Sequence, residues 1–312
     1  MVAVAVQSTS GSGFSRLISV EPSLAGVQLA AQAPPICRDL ELGNIIFFPQ
    51  SPVVISDSHR DLLLGAKTST SAYHKNIAYR PSADRLTGMD SSSPRFASTR
   101  ELLRNFSRHC VEFLSRALSP YAHSWTLDYA SYRPMEEQGR PSRLHARNDL
   151  LHFDSFPSRP TNGARILRFF TNINPVRDRV WVTSQTFESG ATRFLRPEWL
   201  SSAFPNPVMR RVRSLLSSLG IRAAARPPYD GLMHRCHNAM KEDSTYQVNT
   251  PKFVWRFPPG SAWMVCTDCV SHSVISGQYA LEQTFLVPRS ALLEPNRSPF
   301  AILQTWAGRP LN

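Results

Sequence analysis

The pentapeptide Leu150-Leu-His152-Phe-Asp154 carries the residue types in this chain best suited to metal chemistry. On an extended strand, residues two apart face the same side, so His152 and Asp154 present an imidazole and a carboxylate together while Phe153 turns away. That pair supplies two members of a 2-His-1-carboxylate set, which holds non-haem Fe(II) and leaves positions open for substrate and oxygen. A short His-x-Asp run by itself fits a surface pair equally well. The set needs a second histidine from a distant strand. His272, in Cys266-Thr-Asp-Cys-Val-Ser-His272, is the candidate. His234 and His237 are rival ligands in a stretch rich in Arg, Asn and Lys that reads as a loop or a helix rim. Cys266, Cys269 and His272, with Cys236 as a fourth ligand, form a competing structural zinc set, but a second Cys-x-x-Cys or a knuckle-spaced histidine pair is missing.

Elements must bring these residues together. Leu102, Leu103, Phe106, Cys110, Phe113, Leu114 and Leu118 recur at helical spacing, which predicts a helix over 98–118 stopped by Pro120. A short capped helix is expected at 58–64 and another at 206–219. Strands are expected within 44–55 and at 125–133, 164–172, 180–187, 253–257, 263–266 and 281–287. Many short strands with Pro/Gly turns point to a mainly β, α+β fold, a sandwich or barrel with flanking helices. Residues 1–40, rich in Ser, Ala, Gly and Gln, read as a flexible tail, and 41–312 as a single domain, mixed to about 120 and β from about 121 to 290.

Composition bounds the partners. The 312 residues include 35 Lys and Arg against 23 Asp and Glu, a net charge of +12. Only four of the basic residues are lysines, and arginine offers a planar fork for carboxylates and phosphates. There is no Lys/Arg run of five and no helix-turn-helix, zinc-finger or RNA-binding signature, so the charge points to an anionic lipid surface rather than nucleic acid. Five cysteines, an odd number, suit a reducing compartment. Met1–Arg16 lacks the layout of a signal peptide, and no run of 18 apolar residues occurs. A cytoplasmic protein is expected, peripheral on the inner face of the inner membrane.

Longer runs sharpen this. Tyr73-His-Lys-Asn-Ile-Ala-Tyr-Arg80, Leu127-Asp-Tyr-Ala-Ser-Tyr-Arg-Pro134, Arg147 to Arg159, Arg165 to Pro175, Phe257-Pro-Pro-Gly-Ser-Ala-Trp263 and Ser276 to Phe285 resemble the Kdo 3-hydroxylases. These are Fe(II)- and 2-oxoglutarate-dependent dioxygenases that hydroxylate 3-deoxy-D-manno-oct-2-ulosonic acid (Kdo) in the inner core of lipopolysaccharide. The likeness runs from about Leu40 to Val287. It implies a double-stranded β-helix (jelly-roll) core, with His152, Asp154 and His272 as iron ligands. It also implies oxygen as co-substrate, ascorbate in support, and decarboxylation of 2-oxoglutarate to succinate. The family usually lacks a cysteine at position 269, which weakens the zinc set.

The distal carboxylate of 2-oxoglutarate needs a cation. Arg168, on the strand Ile166-Leu-Arg-Phe-Phe, is the first choice, with Arg165, Arg289 and a hydrogen bond from Gln283 as alternatives. Kdo carries a carboxylate and neighbours phosphates in lipopolysaccharide. Arg143, His145, Arg147, Asn148 and Arg159, which flank the metal segment, are the substrate candidates, with Lys75 and Arg80 behind them. The resemblance leaves open a related oxygenase acting on a protein side chain or another small acid, and a non-catalytic jelly-roll binding an anionic glycolipid.

Overall fold

A computed structural model describes residues 6–7, 13–20, 27–68, 76–204, 211 and 226–311. Twelve strands are defined within these residues: β1 (Val6–Gln7), β2 (Leu17–Ser19), β3 (Ile45–Phe48), β4 (Ile77–Arg80), β5 (Arg85–Thr87), β6 (Thr126–Arg133), β7 (Arg165–Asn172), β8 (Arg179–Thr186), β9 (Phe253–Phe257), β10 (Ala262–Cys266), β11 (Val270–Ser276) and β12 (Ala280–Val287). Helices are α1 (Val27–Glu41), α2 (Asp57–Leu64), α3 (Phe96–Ala117), α4 (Phe187–Gly190), α5 (Glu198–Ala203), α6 (Pro228–Glu242), α7 (Ser244–Asn249) and α8 (Pro299–Ala307).

The strands form two sheets. One has the order β1-β2-β3-β10-β7-β12-β6-β4-β5 and the other β11-β8-β9. Every pairing is antiparallel except β2 with β3. The run β10-β7-β12-β6 faces β11-β8-β9, and this is the double-stranded β-helix expected from the sequence. Strand alternation divides the larger sheet into two environments. Phe170, Trp263 and Val265 turn inward and cluster with Trp181, Trp255 and Phe257 of the smaller sheet. Leu167, Phe169, Ile46 and Phe48 turn outward and meet α3 through Leu102, Phe106 and Cys110. Phe48, Phe113 and Phe169 lock this outer layer with ring centroids 5.6–6.3 Å apart.

The strand expectations hold to within two residues, and α3 begins two residues earlier than predicted. The cap of α2 is Ser56, whose hydroxyl accepts from His59 N at 3.3 Å. The expected helix at 206–219 lies, Arg211 apart, outside the described residues. The flexible tail expected over 1–40 is not what its described part forms. β2 lies within 1–40, and α1 runs straight through Pro34 and Pro35. Prolines inside a helix cost about 3 kcal/mol or more each. Ala33, Ile36, Cys37 and Leu40 are fully buried on one face, and each large apolar side chain so buried returns about 1.5–3 kcal/mol. Of the two readings of the stretch around His234 and His237, loop or helix rim, the helical one holds, since both residues lie in α6.

Candidate metal centre

The segment before β7 is too short to be a full strand, yet it joins the smaller sheet through an isolated bridge between His152 and His272. Their backbones exchange two hydrogen bonds of 3.0 Å, and Asp154 N donates to Thr267 O at 2.9 Å. The even-numbered side chains therefore point into the barrel beside β11. One ligand atom each from His152, Asp154 and His272 lies within 4.8 Å of the other two, and no other such group occurs among the described residues. His152 Nε2 is 3.4 Å from Asp154 Oδ1.

The protein fixes which nitrogen is offered. His152 Nδ1 lies 2.7 Å from Leu150 O, and His272 Nδ1 lies 3.0 Å from Val270 O. A carbonyl can only accept, so Nδ1 carries the proton in both rings and Nε2 keeps a lone pair facing the gap. Burial pushes both imidazoles down, His152 well below its ordinary range, where the Lys241 ammonium adds to the effect. Both rings are thus neutral donors at pH 7. Burial alone would raise the Asp154 carboxyl. The Arg168 guanidinium overcomes it and holds the group well below the usual carboxylate range. Two neutral imidazoles and one ionised carboxylate fit a divalent metal of the iron type.

Arg168 begins a chain of buried charges along the inner face. Its Nη2 is 3.0 Å from Asp154 Oδ2, and its Nη1 is 2.9 Å from Glu282 Oε1. Glu282 also takes two hydrogen bonds from Arg133, one of them at 2.8 Å. Glu137 follows, paired with Arg140 at 2.7 Å and near Arg133 and Arg179. The Nε of Arg168 is buried and has no hydrogen-bond partner, so one strong donor beside the triad is unused.

The other candidates divide. Arg165 is corrected: it lies on the outer face of β7, where it pairs with Asp268 at 2.9 Å. Gln283 is corrected for the same reason of alternation. Its amide turns outward and donates to Asp128 O and Thr284 O. Arg289 stacks on the Phe300 ring of α8, 3.6 Å from its centroid. Arg159 packs against the Phe156 and Tyr129 rings, 4.3 Å from each, and pairs with Asp128. Phe156 also lies 5.6 Å from the Arg168 guanidinium, which places Arg159 next to the centre. Asn148 donates to Glu137, at 3.2 Å to Oε2. Arg147 and His145 are engaged by Asp149 and Glu242, and Arg143 and Arg80 are exposed. Lys75 is outside the described residues. His237 abuts His152, but its Nδ1 is held by Phe153 O at 2.8 Å. The zinc set does not assemble: among the described residues, Cys236, Cys266 and Cys269 join no group of side chains close enough to hold one metal ion.

Sequence reasoning passed over Arg133, Glu137, Arg179 and Glu282. A glutamate inside the apolar strand Ala280–Val287 is a signal in itself, because a buried charge requires a partner.

Two histidines and a carboxylate inside a double-stranded β-helix are the ligand types of the 2-His-1-carboxylate centre that non-haem iron oxygenases carry. The 3-deoxy-D-manno-oct-2-ulosonic acid (Kdo) hydroxylase family matches residues 27–310, and the chain belongs to this family. The match takes in α1 and α8, beyond both ends of the likeness seen in the sequence. Among solved structures, the Kdo hydroxylase KdoO is similar at 32% identity over 95% of this chain and 97% of that one. The TM-scores are 0.82 for its cobalt(II) complex, 0.80 for its complex with α-ketoglutarate and Fe(III), and 0.81 for its apo form. KdoO is described as a non-haem Fe(II) α-ketoglutarate-dependent dioxygenase. No curated protein sequence matches the chain.

Proposed function

We propose that this chain is an Fe(II)- and 2-oxoglutarate-dependent dioxygenase that hydroxylates Kdo at its 3-position in the inner core of lipopolysaccharide. Family membership makes it a Kdo hydroxylase, and the observation that carries the mechanism is the convergence of His152, Asp154 and His272 on one point. These three residues would hold the iron through His152 Nε2, His272 Nε2 and an Asp154 oxygen. Bound there, iron with 2-oxoglutarate and oxygen supplies the oxidising power for C–H hydroxylation, with succinate as co-product.

The rest is positioning by the protein. The carbonyls of Leu150 and Val270 hold the two imidazoles in the required tautomer. Arg168 keeps Asp154 ionised, and its unused Nε offers a charge-assisted hydrogen bond to the distal carboxylate of 2-oxoglutarate. The inward aromatic cluster around Trp181 and Phe170 keeps water from the reacting carbon. Arg159 would meet the carboxylate or neighbouring phosphate of the sugar, with Arg143, Arg147, His145 and Asn148 farther along the same segment. The substrate is then a Kdo-bearing lipid A precursor at the anionic inner face of the inner membrane. No helix among the described residues is long and apolar enough to cross a membrane.

Mass spectrometry of lipid A-linked Kdo tests this. Incubation with the protein, Fe(II) and 2-oxoglutarate is expected to add one oxygen atom to the Kdo residue. No mass shift, with 2-oxoglutarate still consumed, would reject Kdo as the substrate.

A further inference from the structure

The segment bearing His152 and Asp154 is tied to the sheet along one edge. Asn148 O, both backbone groups of His152, and Asp154 N bond to Val274, His272 and Thr267 at 2.8–3.0 Å. The peptide groups of Leu151 and Phe153 face the opposite way, and among the described residues no strand lies on that side. Leu151 and Phe153 are buried, and buried peptide groups require partners.

Side chains from two helices supply them. Gln247 of α7 accepts from Leu151 N through Oε1 at 2.8 Å, and its Nε2 donates to Leu151 O at 2.9 Å. A single carboxamide thus pairs with both backbone groups of one residue, as a residue of an antiparallel neighbour would. The second Nε2 hydrogen goes to Met240 O at 2.9 Å, a carbonyl in the last turn of α6 that has no helical partner of its own. From α6, His237 Nδ1 donates to Phe153 O at 2.8 Å, and its ring meets the His152 ring edge-on at 4.9 Å. Lys241, one turn on, donates to His145 O at 3.0 Å and Arg147 O at 2.7 Å just upstream. Leu151 and Phe153 flank His152, and Phe153 is the residue between the two candidate ligands.

We propose that Gln247 and His237 are positioning residues: they replace a missing strand, hold the His152–Asp154 segment at the spacing His272 requires, and so set the metal affinity of the site. This rests on the reading of the triad as a metal site.

Titration of the metal-free chain with Co(II), followed by visible absorption, tests it, with melting of the same samples showing that they are folded. Gln247→Glu keeps the size and the acceptor for Leu151 N but turns a second oxygen toward two carbonyls. His237→Phe keeps the aromatic contact and removes the donor to Phe153 O, together with the 3.5 Å approach of Nε2 to His145 O. Each is expected to weaken Co(II) binding, Gln247→Glu by roughly 10–100-fold and His237→Phe by about tenfold, the range seen when residues behind metal ligands are changed. A purely structural role would lower the melting temperature and leave the affinity of the folded protein within twofold of the parent, and that result overturns the proposal. If Gln247→Glu does not fold, His237→Phe decides by the same criterion. Equal Co(II) binding by the parent and by His152→Ala would instead bring down the metal reading, and this proposal with it.

Discussion

His152→Ala is expected to lower iron-dependent consumption of 2-oxoglutarate by more than about 100-fold, because changes merely behind a metal ligand already cost 10–100-fold. The substitution removes the Nε2 that faces Asp154 and leaves one imidazole and one carboxylate. It leaves the two backbone hydrogen bonds to His272 intact, so the segment stays on β11 and the loss reports on the metal rather than on the fold. The assay is succinate formation with and without added Fe(II), beside a Co(II) titration of the same protein. Unchanged turnover would sink the dioxygenase mechanism.

Glu282→Leu has the largest expected effect on stability. The carboxylate is buried between Arg133 and Arg168 and also accepts from Thr284 Oγ1 at 3.0 Å. Leucine fits an inward strand position but leaves two guanidinium groups facing each other without a counter-charge. Removing one member of a buried ionic network costs about 3–5 kcal/mol. In a chain of this size that corresponds to a fall in melting temperature of roughly 5–8 °C. The pH dependence has a definite sign. Burial raises the Glu282 carboxyl, but Arg133 and Arg168 outweigh it and leave the group below its ordinary value of 4.5. A carboxylate with a depressed folded pKa stabilises fully above its unfolded value, and that stabilisation is lost as pH falls through the folded value. The difference between parent and variant should therefore be full at pH 6–7 and shrink below about 4.5. Differential scanning calorimetry across this range measures it. A variant melting within about 2 °C of the parent at pH 7 would show that the charge chain does not support the barrel.

The legible parts of the molecule share one property: the signal is local. The amphipathic period of 102–118 sufficed for α3, and short runs of strand-forming residues between turn signals sufficed for β6, β7 and β12. His152 and Asp154 were readable because two residues on one strand face suffice to propose a half-site, and His272 was readable through the resemblance. What failed depends on context. α1 keeps its prolines because Ala33, Ile36, Cys37 and Leu40 have a sheet and α3 to pack on, a condition absent from the residues themselves. Arg165 and Gln283, offered as partners of the co-substrate, turn out of the barrel, since neighbouring positions on a strand face opposite sides. Arg133 and Glu282 meet only because β6 and β12 pair antiparallel. Gln247 acts from a helix on a backbone far upstream, and a carboxamide doing a strand's task leaves no periodicity to find.

The indole of Trp181 lies flat against His272, with ring centroids 5.3 Å apart and planes 17° from parallel. The chain therefore has a fluorophore in contact with a candidate ligand of the proposed metal site. A paramagnetic ion arriving at His272 Nε2 has a direct route to quench that emission, whereas the more distant tryptophans report it weakly. Occupancy of the centre becomes an optical quantity, readable in the unmodified protein and traceable to one residue by comparison with Trp181→Phe.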